Sequence, residues 1–176
     1  MITILDKQFI PFINRETIEN RITELAEQIN NDYKDRCPLF LVVLNGAFLF
    51  ATELVKNIPL TCEITFVRLS SYAQTESTGN VRQIIGLEEK ITDRDVIIIE
   101  DIVDTGLTMT QLLSQIEDHR PKSIEIATLL HKPEALQKPV KMRYVGFEIE
   151  NRFVVGYGLD YDGLGRNLDA LYVLKE

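Results

Sequence analysis

The chain has 176 residues, 45% hydrophobic and 26% charged, and 19 basic against 27 acidic residues give a formal net charge of −8. That length suits one domain with a core, the apolar content excludes disorder as the main state, and the charge argues against a general nucleic-acid or anionic-membrane binder. No apolar run approaches the ~20 residues that span a bilayer, and Cys37 and Cys62, without CxxC spacing, argue against a disulfide framework or structural zinc and for a cytoplasmic setting.

Ile18, Ile22, Leu25, Ala26 and Ile29 fall on one stripe of an amphipathic helix, with Asn14 as its cap. Leu39 to Leu44 is a continuous apolar run after Pro38 and predicts a buried strand. Asn45-Gly46-Ala47 ends it tightly, and Phe48 to Lys56 predicts a second helix, stopped before Pro59. Ile64 to Leu69 is rich in β-branched residues and predicts a strand. Ser70 to Asn80 has no apolar period and is expected as an exposed loop, with Val81 to Ile85 as a return strand. Val96-Ile97-Ile98-Ile99 is the signature of a central strand covered on both faces. Leu112, Leu113 and Ile116 mark a helix ending before Pro121, and strands are expected at Ile124 to Leu130, Tyr144 to Phe147 and Phe153 to Tyr157. Arg94-Asp95 and Glu88-Glu89 are expected to be solvated.

Alternating strands and helices from residue 39 to 130 predict βαβ units. The fold class is α/β, a central, mostly parallel twisted sheet flanked by helices, with a small hood subdomain. The chain, 1–176, is expected to form one domain, its core at about 35–150 and its hood from the N-terminal strand and about 151–176.

The chemistry concentrates in Val96 to Thr110, VIIIEDIVDTGLTMT. A buried strand runs into Glu100 and Asp101; Asp104, Thr105 and Gly106 follow, with Thr108 at the mouth of a helix. Ligands of open parallel sheets bind beyond the carboxyl ends of the strands. A glycine turn at a helix N-terminus presents unpaired N–H groups to an anion, so Asp104 to Thr108 predicts a phosphate cradle that needs no lysine. Carboxylates beside an anion site make sense when the ligand carries hydroxyls or brings Mg²⁺, and a sugar phosphate with a vicinal diol meets both conditions.

This stretch resembles the phosphoribosyl-diphosphate motif of type I phosphoribosyltransferases: apolar strand, two acids, two spacers, Asp-Thr-Gly, then Thr. From about Leu39 to Tyr172 the chain is similar to the hypoxanthine (6-oxopurine) phosphoribosyltransferases. Further marks are Leu44-Asn45-Gly46-Ala47, Arg68 to Tyr72 with Ser77-Thr78-Gly79, Lys132, Phe153 to Tyr157, and Leu159-Asp160-Tyr161 with Arg166. The resemblance implies an enzyme that moves ribose 5-phosphate from phosphoribosyl diphosphate to a 6-oxopurine, with Mg²⁺ as cofactor. It implies Asp104 as the proton-shuttling catalytic acid or base and Asp104, Thr105, Gly106, Leu107 and Thr108 at the 5′-phosphate. Glu100 and Asp101 would hold the ribose hydroxyls with the help of Mg²⁺, and Asp160 would coordinate a second Mg²⁺, directly or through water. Asn45, Gly46 and Arg166 would meet the diphosphate, where family members often carry a cis peptide before the Asn45 position. Lys132, Phe153, Val154 and Asp160 would line the base pocket, and Ser71 and Tyr72 would belong to a mobile lid. Similar enzymes are dimers or tetramers, so a homodimer or homotetramer is expected, with small molecules rather than nucleic acid or membrane as partners. Leu107 and Asn45 stand where many members carry Lys.

Alternatives on the same scaffold are a regulatory protein that senses nucleotides while binding nucleic acid, and a phosphoribosyltransferase for another base. The scattered Lys and Arg disfavour the first, and Lys132 with Phe153 disfavours the second. His119 and His131 have no metal-ligand spacing.

Overall fold

The computed structural model describes residues 1–71, 82–85, 87 and 90–175. A hairpin opens the chain, β1 (Ile2–Ile4) and β2 (Lys7–Ile13), followed by helix α1 (Arg15–Asp32). Asn14 caps α1, its Oδ1 accepting the Thr17 N–H at 2.8 Å, and the predicted stripe from Ile18 to Ile29 is the helix's buried face. Then come β3 (Leu39–Leu44), α2 (Phe48–Lys56), β4 (Glu63–Ser71), β5 (Arg82–Ile85), β6 (Asp95–Val103), α3 (Leu107–Glu117), β7 (Ser123–His131), β8 (Tyr144–Glu148), β9 (Val154–Val155) and β10 (Leu171–Leu174).

The larger sheet has six strands in the order β5-β4-β3-β6-β7-β8. All its pairings are parallel except that of β4 with β5. Strand β3 shows why its sequence carries no polar alternation. Phe40 and Val42 pack with α1 and α2 on one face, while Leu39, Leu41 and Val43 pack with Met109, Leu112 and Ile116 of α3 on the other. Ile97 and Ile99 of β6 join the first cluster, Val96 and Ile98 the second, so both central strands are apolar on both faces.

From β3 the chain crosses to β4 on one side and later returns to β6 on the other. The strand order therefore reverses between β3 and β6, and such a switch point opens a crevice at the carboxyl ends of the two strands. The Asn45-Gly46 turn leaves β3 there, and the acids of the 100–104 segment leave β6 there.

The second sheet has the order β1-β2-β10-β9 and is antiparallel throughout. Phe9 and Val155 form its small core with Ile4. The strand predicted for Phe153 to Tyr157 is shorter than expected, because after β9 the chain turns through Gly156, at φ 97°, and closes a bridge from Gly156 to Leu159. Among the described residues no helix is long and apolar enough to cross a membrane.

One expectation needs correction, at Asp95. Strand β6 runs on through the acids to Val103, since Glu100, Ile102 and Val103 pair with Thr128, Leu130 and His131. Asp95 is not solvated. It is 8% exposed, accepts from Ser123 Oγ at 2.6 Å and lies 3.4 Å from Lys122 Nζ. Burial pushes its carboxyl up, but these hydrogen bonds and the charges of Lys122 and Arg36 outweigh it and leave it below the usual carboxylate range. Glu88, Glu89 and Tyr72 lie outside the described residues, and Ser71 closes β4.

Candidate active site

The register of the sheet assembles the site. Val103 pairs with His131, so Asp104 and Lys132 leave adjacent strands side by side. Lys132 Nζ donates to Asp104 Oδ2 at 3.2 Å, and the Lys132 backbone N–H donates to Val103 O at 3.0 Å. The lysine side chain is 8% exposed and its partner carboxylate 44%. Burying an ammonium is costly unless it is paired and hydrogen-bonded, and this pairing distinguishes Lys132 from the solvated lysine that a strand end otherwise suggests.

Beyond Asp104 the chain turns into α3 through Gly106, whose φ is 76°. A Cβ on Gly106 would lie 2.5 Å from Lys138 O. Thr105 O accepts the N–H groups of Gln137 and Lys138 at 2.9 and 3.2 Å, clamping the turn from outside. The first N–H groups of α3 have no helix carbonyl behind them, and the Leu107 N–H donates to Thr105 Oγ1 at 3.4 Å. Leu107 projects into solvent at 42% exposure.

Two hollows meet at this strand end. One, of about 260 Å³, is lined by Glu100, Asp101, Asp104 and the turn through Thr105, Gly106 and Thr108. The other, of about 270 Å³, is lined by Lys132, Phe153, Val154, Leu159 and Asp160 on its far side. Asp101, Ile102 and Asp104 line both, and so form the wall between them.

The β3 turn closes the site from the side. The Leu44–Asn45 peptide is cis. Gly46 packs so tightly on Asp101 that a Cβ there would lie 1.5 Å from Oδ2. Gly158, at φ 103°, packs in turn on the Gly46 carbonyl, where a Cβ would come within 1.9 Å of the oxygen. Arg166 Nη1 donates to Gly158 O at 2.7 Å, its Nη2 pairs with Asp160 Oδ1, and Asp160 Oδ2 accepts the Gly163 N–H at 2.6 Å. The anchor carboxylates are also engaged locally, Glu100 Oε1 by the Asp101 N–H at 3.1 Å and Asp101 Oδ1 by the Ile102 N–H at 2.8 Å.

The structure thus brings together Glu100, Asp101, Asp104 to Gly106, Thr108, Lys132, Phe153, Val154 and Asp160 around the two hollows, with Gly46 and Arg166 one contact away. Asn45 and Leu107 line neither. Ile102 is a wall residue missed in the sequence, where it reads as a spacer after the two acids, and Leu159, named there only as part of a motif, proves to line the base-side hollow.

The phosphoribosyl transferase domain model matches residues 13–162 of the chain. The chain belongs to the phosphoribosyl transferase family. It is 44% identical to a hypoxanthine-guanine phosphoribosyltransferase of Mycobacterium tuberculosis, covering 92% of this chain and 84% of that protein. It is 40% identical to a hypoxanthine-guanine-xanthine phosphoribosyltransferase of Tritrichomonas foetus, over 93% of this chain and 90% of the other. A crystal structure of a hypoxanthine phosphoribosyltransferase from Staphylococcus aureus superposes with a TM-score of 0.88 at 39% identity, covering 97% of this chain and 92% of that one. The Leu44–Asn45 cis peptide, the Asp-Thr-Gly turn and the two-sheet architecture therefore sit in a family context that matches the motif read at Glu100 to Thr108.

Proposed function

We propose that this chain is a purine-salvage hypoxanthine-guanine phosphoribosyltransferase, acting in the cytoplasm on phosphoribosyl diphosphate and a 6-oxopurine base. The observation that carries this reading is the shared wall: a polar turn suited to a phosphate and a hollow with an ammonium and an aromatic ring meet at Asp101 and Asp104. A reaction that joins two substrates requires such adjacency, because positioning supplies much of the rate of a group transfer.

In this reading the 5′-phosphate lies on the Thr105–Thr108 turn, and Glu100 and Asp101 accept hydrogen bonds from the ribose hydroxyls. The base stacks on Phe153 with its 6-oxo oxygen toward Lys132. An ammonium has three donors, so Lys132 can serve that oxygen while keeping Asp104; an exocyclic amine at the same position would meet a donor with a donor. The purine N9–C1′ bond forms as the C1′–O bond to diphosphate breaks, with inversion. The diphosphate leaves with the electron pair, and the purine's ring proton passes to Asp104. Arg166 and the Asn45-Gly46 turn face the departing diphosphate.

Among the described residues no group of three or more His, Cys, Asp or Glu side chains could hold a metal unaided. The acids fit Mg²⁺ as it commonly binds, through one or two carboxylates with substrate oxygens completing its shell. Glu100 and Asp101 would hold one ion and Asp160 a second, and when bound the metal would neutralise charge building on the diphosphate. We further assign the whole chain to one catalytic unit, the four-stranded sheet acting as hood and the segment from Ser71 and Tyr72 as lid. Working as a homodimer or homotetramer is supported by the apolar pair Ile64 and Phe66, 43% and 51% exposed on β4; light scattering after gel filtration tests it.

The deciding experiment is a spectrophotometric panel of hypoxanthine, guanine, xanthine, adenine and uracil with phosphoribosyl diphosphate, with Mg²⁺ and with chelator. Turnover of hypoxanthine and guanine that chelator abolishes is expected. Turnover of adenine alone, or of no base, would overturn the reading.

A further inference from the structure

Phe153 stands one residue before β9, where its carbonyl accepts the Leu174 N–H at 2.9 Å, but at 42% exposure its ring lies outside the main core. What surrounds that ring comes in part from the first residues of the chain. The β1–β2 hairpin turns through Leu5 and Asp6, with Ile4 opposite Lys7. Lys7 and Phe9, two apart on β2, therefore present their side chains to the same face. Phe9 is fully buried and its ring centroid lies 6.2 Å from that of Phe153. Lys7 Nζ lies 5.6 Å from the Phe153 centroid and 4.6 Å from that of Tyr161. Tyr161 meets Phe153 edge to face, at 5.9 Å and 84°. Its hydroxyl donates to Asp6 Oδ1 at 2.7 Å, which ties the same hairpin turn to the same ring pair. That hydrogen bond holds the Asp6 carboxyl below its usual range and raises the Tyr161 hydroxyl, both in the sense of a persistent bond to a charged carboxylate.

We propose that Lys7 is a positioning residue for the purine base: its ammonium, shared between the Phe153 and Tyr161 rings, sets the pitch of the Phe153 face on which the base stacks. Aromatic faces carry negative charge and attract a cation within about 6 Å of the centroid, so the lysine holds two rings at once, and Asp6 holds the second of them from its hydroxyl end. The proposal rests on Phe153 as the stacking ring, and it assigns the hood's first hairpin a part in base affinity that its place in the sequence conceals. A lysine acting merely as a positive charge near an anionic substrate would instead strengthen the binding of phosphoribosyl diphosphate.

The test measures KM for hypoxanthine and for phosphoribosyl diphosphate separately, with kcat, in the wild type, Lys7→Met, Lys7→Arg, Phe153→Leu and the Lys7→Met/Phe153→Leu double variant. Lys7→Met, which keeps the stem and removes the charge, is expected to raise the base KM about two- to fivefold with the phosphoribosyl diphosphate KM unchanged. Lys7→Arg, also a cation, should restore the base KM. In the Phe153→Leu background Lys7→Met should add nothing, because the two act as one unit. An unchanged base KM in Lys7→Met, an equal rise in both KM values, or the same rise with Phe153 already removed would each overturn the proposal. A Phe153→Leu enzyme with an unaltered base KM would overturn the stacking assignment itself, and the Lys7 proposal with it.

Discussion

Gly46→Ala isolates the contact between the β3 turn and the acids of β6. Gly46 has no left-handed φ, so alanine suits its backbone, and the whole perturbation is steric. The new Cβ would lie 1.5 Å from Asp101 Oδ2, whereas ordinary contact begins at 3.4 Å, so the carboxylate oxygen must withdraw by about 1.9 Å. The turn cannot yield instead, because its carbonyl is already packed against Gly158. Rotating Asp101 gives up its hydrogen bond from the Ile102 N–H, worth about 1 kcal/mol and so about 2–4 °C of melting temperature in a chain of this size. The kinetic loss should be larger, since misplacing a positioning group by about 1 Å can cost on the order of 10²-fold. The expectation is a fall of about 10²-fold in kcat/KM for phosphoribosyl diphosphate, followed by absorbance at saturating hypoxanthine, with melting temperature recorded beside it. Glu27→Gly, at an exposed position inside α1 and outside both hollows, is the control. A glycine in an exposed helix interior costs up to about 1 kcal/mol, so it should lower stability while leaving the kinetics intact. A Gly46→Ala enzyme within threefold of wild type, or the same kinetic loss in both variants, would refute the role given to the Gly46–Asp101 contact.

Asp104→Asn should lower kcat by about 10²–10⁴-fold with a smaller change in either KM, as expected for losing a positioned proton acceptor; near-normal turnover in a single-turnover assay would remove Asp104 from the proton transfer. Lys132→Ala should raise the KM for hypoxanthine and leave Asp104 without its buried cation, and relaxed discrimination against adenine in a competition assay is the accompanying mark. Leu107→Lys, placing a cation at an exposed position of the phosphate turn, should lower the KM for phosphoribosyl diphosphate, an effect that disappears in about 1 M salt, where the screening length falls to about 3 Å. Stability should fall with alkali: burial, with the charges of Glu53 and Glu19, pushes the Tyr157 hydroxyl up to about 12 from 10, so the unfolded chain releases its proton first. The contribution is complete below pH 10 and is lost as pH rises toward 12, at about 1.4 kcal/mol per pH unit; urea melts across that window should show a shallower slope for Tyr157→Phe than for wild type.

The sheet was legible wherever burial is two-sided. An unbroken apolar run has no other explanation in β3 and β6, and Asn14 and the Ile18–Ile29 stripe mark α1 by local hydrogen bonding and period alone. What stayed hidden depends on distant partners. Asp95 looks like a solvated acid until Ser123, 28 residues on, donates to it across the ladder. An N-terminal strand is expected, but β2 runs through Pro11, which argues in sequence against so long a strand. It is accommodated because β1 pairs only residues 7–9 of β2, leaving no neighbour on that side to want the missing N–H. The acids of Glu100 to Asp104 were legible as a ligand site, yet the Lys132–Asp104 ion pair was not. It follows from one register, Val103 opposite His131, which no local pattern encodes.

The same registers account for how an acidic chain can hold a doubly phosphorylated substrate with asparagine and leucine where many relatives place lysine. Two cations of the site are already partnered, Arg166 with Asp160 and Lys132 with Asp104. Neither presents a bare positive charge, so on the proposed reading the phosphate relies chiefly on the N–H groups of the Gly106 turn and the start of α3. Dipoles of this kind discriminate by direction, not by charge alone, and favour a phosphate seated at the turn over any anion drifting past. The paired cations have another consequence. On the proposed assignment an incoming diphosphate would compete with Asp160 for Arg166, and an incoming 6-oxo group would share Lys132 with Asp104, so each substrate would rearrange the partner of a carboxylate that the other substrate also faces. The coupling this reading implies between the two hollows would run through the wall they share, at the strand end where the order of the sheet reverses.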